Sequence, residues 1–128
     1  MQFTITDTYL FWWPVTVSIP SDDEPGTFTE QTFHMQFEAI SKDRAKKLDD
    51  ELKDASTKDV DQRLAEVVMG ACRDWRDVIA KNGDPVEFHE GALYGAMQFP
   101  WFRAGIINAY AEAMHGIEAG QSKAQAKN

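Results

Sequence analysis

The chain has 128 residues, 21 acids against 13 bases for a net charge of −8, and 43% hydrophobic content. That size and balance describe one soluble globular domain able to bury a core unaided, and a single cysteine excludes an internal disulfide framework. The longest apolar run, Tyr9 to Val17, is too short to span a bilayer and has no basic residue before it, so neither a membrane segment nor secretion is expected.

Residues 1–41 read as β-rich. Phe3 and Ile5 are spaced for a short strand; Val15, Val17 and Ile19 alternate with polar residues and form one face of a strand bounded by Pro14 and Pro20. An acidic turn, Ser21 to Gly26, leads to a second alternation of Phe33, Met35, Phe37 and Ala39, which predicts an antiparallel pair with one buried face. The aromatic run Tyr9, Leu10, Phe11, Trp12, Trp13 exceeds what one strand face hides. Two readings stand equal: a docking patch, because Trp and Tyr concentrate at interface centres, or alternate residues in the core with the rest covered. Contact with a membrane surface ranks well behind, since no Lys or Arg flanks the run. Six acids and no Lys or Arg fall in residues 1–41, while the remainder carries 13 bases against 15 acids. Phosphates would be repelled by that surface, so nucleic acid is not an expected partner; a basic partner or plain solubility fits it.

Residues 42–118 read as mainly helical. Ser41 is placed to cap a first helix whose Ala45, Leu48, Leu52 and Ala55 form a thin apolar stripe, with Asp43–Lys47 and Lys47–Glu51 as charge pairs. Ser56-Thr57 interrupts and caps a second helix with a broader face, Val60, Leu64, Val67, Val68 and Ala71, reaching Trp75 if the helix runs that far. These two helices are expected as an αα-hairpin or one bent helix against the sheet, and Cys72 as a small core residue.

From Trp75 the chain carries Trp75 and Val78, a turn at Asn82-Gly83-Asp84-Pro85, then Val86 and Phe88, so that both arms of a small hairpin or loop dock on the core. Trp75, Gly83, Pro85 and Phe88 are accordingly structural. After a short helix, Pro100 opens a last helix that is apolar around most of its cylinder, from Phe102 to Ile117. One side would meet the core and the other a second chain, with Gly105 and Ala109 permitting a close helix crossing. Tyr9, Phe11, Trp12 and Trp13, with Trp101, Phe102, Ile106 and Tyr110 on the outer side of the last helix, are the candidate partner or oligomer surface. A single α+β domain is therefore predicted over 1–118, a small antiparallel sheet or β-hairpin followed by about four helices, with a flexible tail at 119–128.

The order Trp75, Asp77, Val78, Gly83, Pro85, Val86, Phe88, Leu93, then Ala109, Tyr110 and the final Lys127-Asn128, resembles the tail assembly chaperones of long-tailed, siphovirus-type bacteriophages. It covers roughly the C-terminal 60 residues, and the earlier half only in its order of strands before helices. One departure is His89-Glu90-Gly91, where a Ser or Thr helix cap is expected. The resemblance implies a chaperone that binds the tape measure protein and keeps it soluble in the host cytoplasm during tail assembly. It also implies a homo-oligomer and a longer form made by ribosomal frameshifting near the 3′ end. The alternative is a structural tail or head–tail joining protein retained in the virion. Catalysis is not expected: His34, His89 and His115 lack metal-ligand spacing, and no nucleotide or nucleophile motif occurs. No metal or cofactor is implied, which leaves a small hydrolase with histidines gathered by the fold as the least favoured reading.

Overall fold

The structure is a computed structural model that describes residues 1–53 and 56–115. The positions of Ala55, Ile117 and the expected tail at 119–128 lie outside the described residues. Two long strands, β1 (Leu10–Pro20) and β2 (Phe28–Glu38), pair antiparallel in unbroken register from Leu10↔Glu38 to Pro20↔Phe28. The turn between them closes through the Ser21 N–H to the Thr27 carbonyl and a left-handed Gly26. Alternation then sorts the side chains: Val15, Met35 and Phe37 are fully buried, with Val17 and Phe33 beside them.

Pro14 lies inside β1 and does not bound it. β1 is an edge strand, where every second N–H points away from the partner and its loss costs no ladder bond. The third strand is also not the one expected. Phe3 and Ile5 lie outside any strand and are 79% and 87% exposed. The open side of β2 is taken instead by β3 (Cys72–Arg76), which contributes the buried Cys72 and Trp75 across a bulge at Gln36/Phe37. Two apolar residues at Phe3 and Ile5 offer less burial than β3 does.

Between β2 and β3 run α1 (Lys42–Leu52) and α2 (Thr57–Ala71), capped by the side chains of Ser41 and Ser56, which accept from the N–H groups of Arg44 and Asp59. No residue of α1 is buried: of its apolar stripe Leu48 and Leu52 are half-buried and Ala45 is exposed. Glu51 pairs with Arg63 of α2 at 2.9 Å and not with Lys47, tying the two helices at their surface. α2 ends at Ala71: Cys72 is already extended, and its thiol donates to the Val68 carbonyl. Trp75 is thereby in a strand, opposite Met35, and not on a continued helix.

α3 (Glu90–Met97) and α4 (Pro100–Met114) complete the α+β fold. His89 performs the capping that Ser or Thr would: its Nδ1 accepts from the Ala92 N–H at 3.1 Å. α4 packs chiefly on β1. Gly105 makes that approach possible, because a Cβ there would stand 2.7 Å from the Thr16 carbonyl oxygen and 3.1 Å from Val17 Cγ2. The close crossing foreseen at Gly105 is thus made with this chain's own strand.

The fit at Gly105 yields a paired expectation. Gly105→Ala should destabilise the protein by about 1–3 kcal/mol, the range of overpacking, despite alanine's better helix propensity. Gly95→Ala, where a Cβ meets nothing within 4 Å, should stabilise it by about 0.5–1 kcal/mol. Urea unfolding midpoints of the two variants decide it.

Candidate binding surface

The strand pleat divides the aromatic run. Phe11 and Trp13 pack against the core, Phe11 with its ring 5.8 Å from that of Phe37. Trp12 falls on the opposite face, where the Arg76 guanidinium sits 3.8 Å from its ring centroid. Tyr9 is exposed and donates its hydroxyl to the Thr4 carbonyl. Ile106 and Tyr110 face inward, which corrects their placement on an outer helix side: Ile106 is fully buried, and the Tyr110 hydroxyl donates to the Glu38 carbonyl at 2.8 Å. α4 is apolar on so many sides because its neighbours are this chain's sheet and helices. Phe102 stacks on Phe33 with centroids 5.6 Å apart, leaving part of its ring and of Trp101 uncovered.

Trp75, Gly83, Pro85 and Phe88 come together in one looped hairpin. Asp77, at φ +65°, turns the chain out of β3; Val86 N–H bonds to the Val78 carbonyl, and Ile79 bridges Pro85. Gly83 at φ +91° and the Asn82 side chain, which accepts from the Asp84 N–H, close the tip. The indole N–H of Trp75 donates to the Val86 carbonyl at 2.7 Å, and the Phe88 ring meets the indole edge-on at 5.1 Å.

This loop forms one wall of the feature that the sequence does not disclose. β3 stops pairing at His34↔Arg76, so the far ends of β1 and β2 project beyond the sheet's third strand. Their inward side, Val17, Ile19 and Phe33, is the floor of a groove of about 280 Å³. Ile79 stands on one side and Phe99 with Trp101 on the other, the two rings stacked 5.3 Å apart. Ile79 is 64% and Phe99 50% exposed, unusual for residues of their size facing one cleft. Neither belongs to a periodic pattern. The available signal is a large apolar residue beside a turn, at Ile79, or just before a helix-opening proline, at Phe99.

The cleft with Arg44, Arg63 and Arg73 also holds Glu38, Glu66 and Asp7; Arg73 pairs with Glu38 and Arg63 with Glu51 and Glu66. His34 meets the Asp77 carboxylate at 3.0 Å, His89 caps α3, and His115 ends α4. Among the described residues no group of three His, Cys, Asp or Glu could hold a metal ion, and no helix is long and apolar enough to cross a membrane.

Burial pushes the Cys72 thiol up from 9.0 to about 12. A raised acid pKa means the folded state holds its proton more tightly than the unfolded one, so stability is undiminished below pH 9 and falls as pH rises from there towards 12. Cys72→Ala should lose part of that alkaline decline in thermal melts. In the native wild type, a thiol-specific chromogenic reagent at pH 8 should react only on the unfolding timescale.

Comparisons with protein-family models, with curated proteins and with solved structures find no match to this chain.

Proposed function

We propose that the protein is a non-catalytic binding protein, a phage tail assembly chaperone that holds the tape measure protein soluble in the host cytoplasm while the tail is built. The observation that carries this reading is the open apolar groove at the projecting end of the β1–β2 hairpin, rimmed by the exposed Ile79 and Phe99. The resemblance around Trp75 to Phe88 supplies the identity of the client. The residues of that motif build the groove's wall, since Val78 and Ile79 leave β3 on one arm of the loop that Trp75 and Phe88 anchor.

The chemistry of such a site is burial. An apolar cavity of ~150 Å³ holds one benzene-sized group, so a groove of about 280 Å³ takes roughly two large apolar side chains. Each contributes about 1.5–3 kcal/mol when removed from water, and association itself costs several. One copy therefore binds weakly and reversibly. Many copies along a long client, joined to one another or to a longer form of the same chain, reach useful occupancy through multivalency. Weak single contacts also let the client be released when the tail tube polymerises around it.

Co-expression with the tape measure protein encoded nearby should bring that protein into the soluble fraction and co-purify the two, while purified virions lack this chain. Insolubility of the tape measure protein in its presence would sink the chaperone reading. Stoichiometric presence in virions would favour a structural tail component.

A further inference from the structure

The groove's charge is as uneven as its polarity. Among the residues that line it, one carries a charge, Asp77. Ile19 forms part of the floor, and the hairpin tip that follows within a few residues carries Asp22, Asp23 and Glu24. Among the described residues none of these three acids has a salt-bridge partner, and residues 1–41 contain no Lys or Arg. Of the cations on the elements around the groove, two are engaged elsewhere, while Lys81, two residues past Ile79 in the turn, is exposed with no ion pair among the described residues. Arg76 lies over Trp12 on the sheet's other face and Arg103 donates to the Met97 carbonyl at 2.7 Å; the Asp77 carboxylate has the His34 ring at 3.0 Å. An apolar cleft beside uncompensated carboxylates attracts cations to its edge and apolar groups to its floor.

We infer that the groove receives a basic amphipathic segment of a partner protein, two apolar side chains entering over Val17, Ile19 and Phe33 while flanking Lys or Arg residues lie against the acidic hairpin tip. The inference rests on the client-binding reading for its biological meaning and specifies the chemistry of the client. An acidic or uncharged apolar segment is discriminated against, since it would bring like charge or nothing to the rim.

The test uses the full chain and a fluorescent 18-residue peptide of Leu and Lys at helical amphipathic spacing, read by anisotropy, beside the same peptide with Glu for every Lys. Ile79→Gln and Phe99→Gln alter exposed side chains, so the fold is retained, which circular dichroism verifies. Each should weaken binding of the Leu/Lys peptide by about tenfold, the loss of roughly one buried apolar contact. Tyr94→Gln, equally exposed but off the groove, should leave it within about twofold. Asp22→Asn, Asp23→Asn and Glu24→Gln together should weaken it several-fold and flatten its salt dependence.

Absence of binding, equal binding of the Glu peptide, or affinity indifferent to Ile79 and Phe99 would each overturn the inference. The two levels separate cleanly. Rescue of tape measure solubility by the Ile79→Gln chain would remove the groove as the client's site while the chaperone reading stands. Groove-dependent peptide binding without rescue by the wild type would keep the groove and remove that client.

Discussion

The seating of α4 on β1 sets the geometry of everything around it. At Gly105 the helix comes so near the Thr16 carbonyl that no side chain fits between them. Because the axis is held that close, Ile106 and Tyr110 reach past β1 into the core, and the Tyr110 ring meets Phe37 at 5.1 Å while its hydroxyl donates at the end of β2. One turn earlier, Phe102 lies flat on Phe33. A helix standing further out would leave these rings apart and a void beneath them, which close-packed interiors do not tolerate. The apolar excess of α4 is the consequence: a helix pressed into a sheet needs apolar residues on its flanks as well as on its lower face.

The same contact fixes the groove. Pro100 opens α4, so Phe99 and Trp101 are delivered wherever the start of that helix is held. On the other side, Asp77 in a left-handed conformation turns the chain away from β2 as soon as β3 ends, and Ile79 is left facing Phe99 across the hairpin floor. A third strand as long as β2 would have filled the space. The cleft exists because β3 has 5 residues and β2 has 11.

Periodicity made much of this legible. The alternations around Val15 and Phe33, the caps at Ser41 and Ser56, and the loop joining Trp75 to Phe88 follow from residues close together in sequence, where pleat, cap geometry and turn chemistry decide. What escaped depends on residues far apart. Whether Ile106 faces a partner or the core is settled by how closely α4 approaches β1, and a glycine alone does not say what approaches it. Pro14 is harmless because, among the described residues, β1 has no strand neighbour on its outer side. Phe3 and Ile5 alternate as a strand would, yet pairing is decided by competition for the edge of β2, which β3 wins with a tryptophan. His89 shows the reverse case, an unexpected side chain doing the work of the expected one.

The junction between α2 and β3 has no loop: Ala71 closes the helix and Cys72, buried, begins the strand. Helical phase and strand register are therefore geared together. Adding or deleting one residue there would rotate the buried face of α2 by about 100° or send Trp75 to the solvent side of the sheet. Such a joint accepts substitution far more readily than a change in length. Across divergent relatives, insertions and deletions would collect in the Ser21–Thr27 turn and around Asn82, leaving the spacing from Val68 to Trp75 constant.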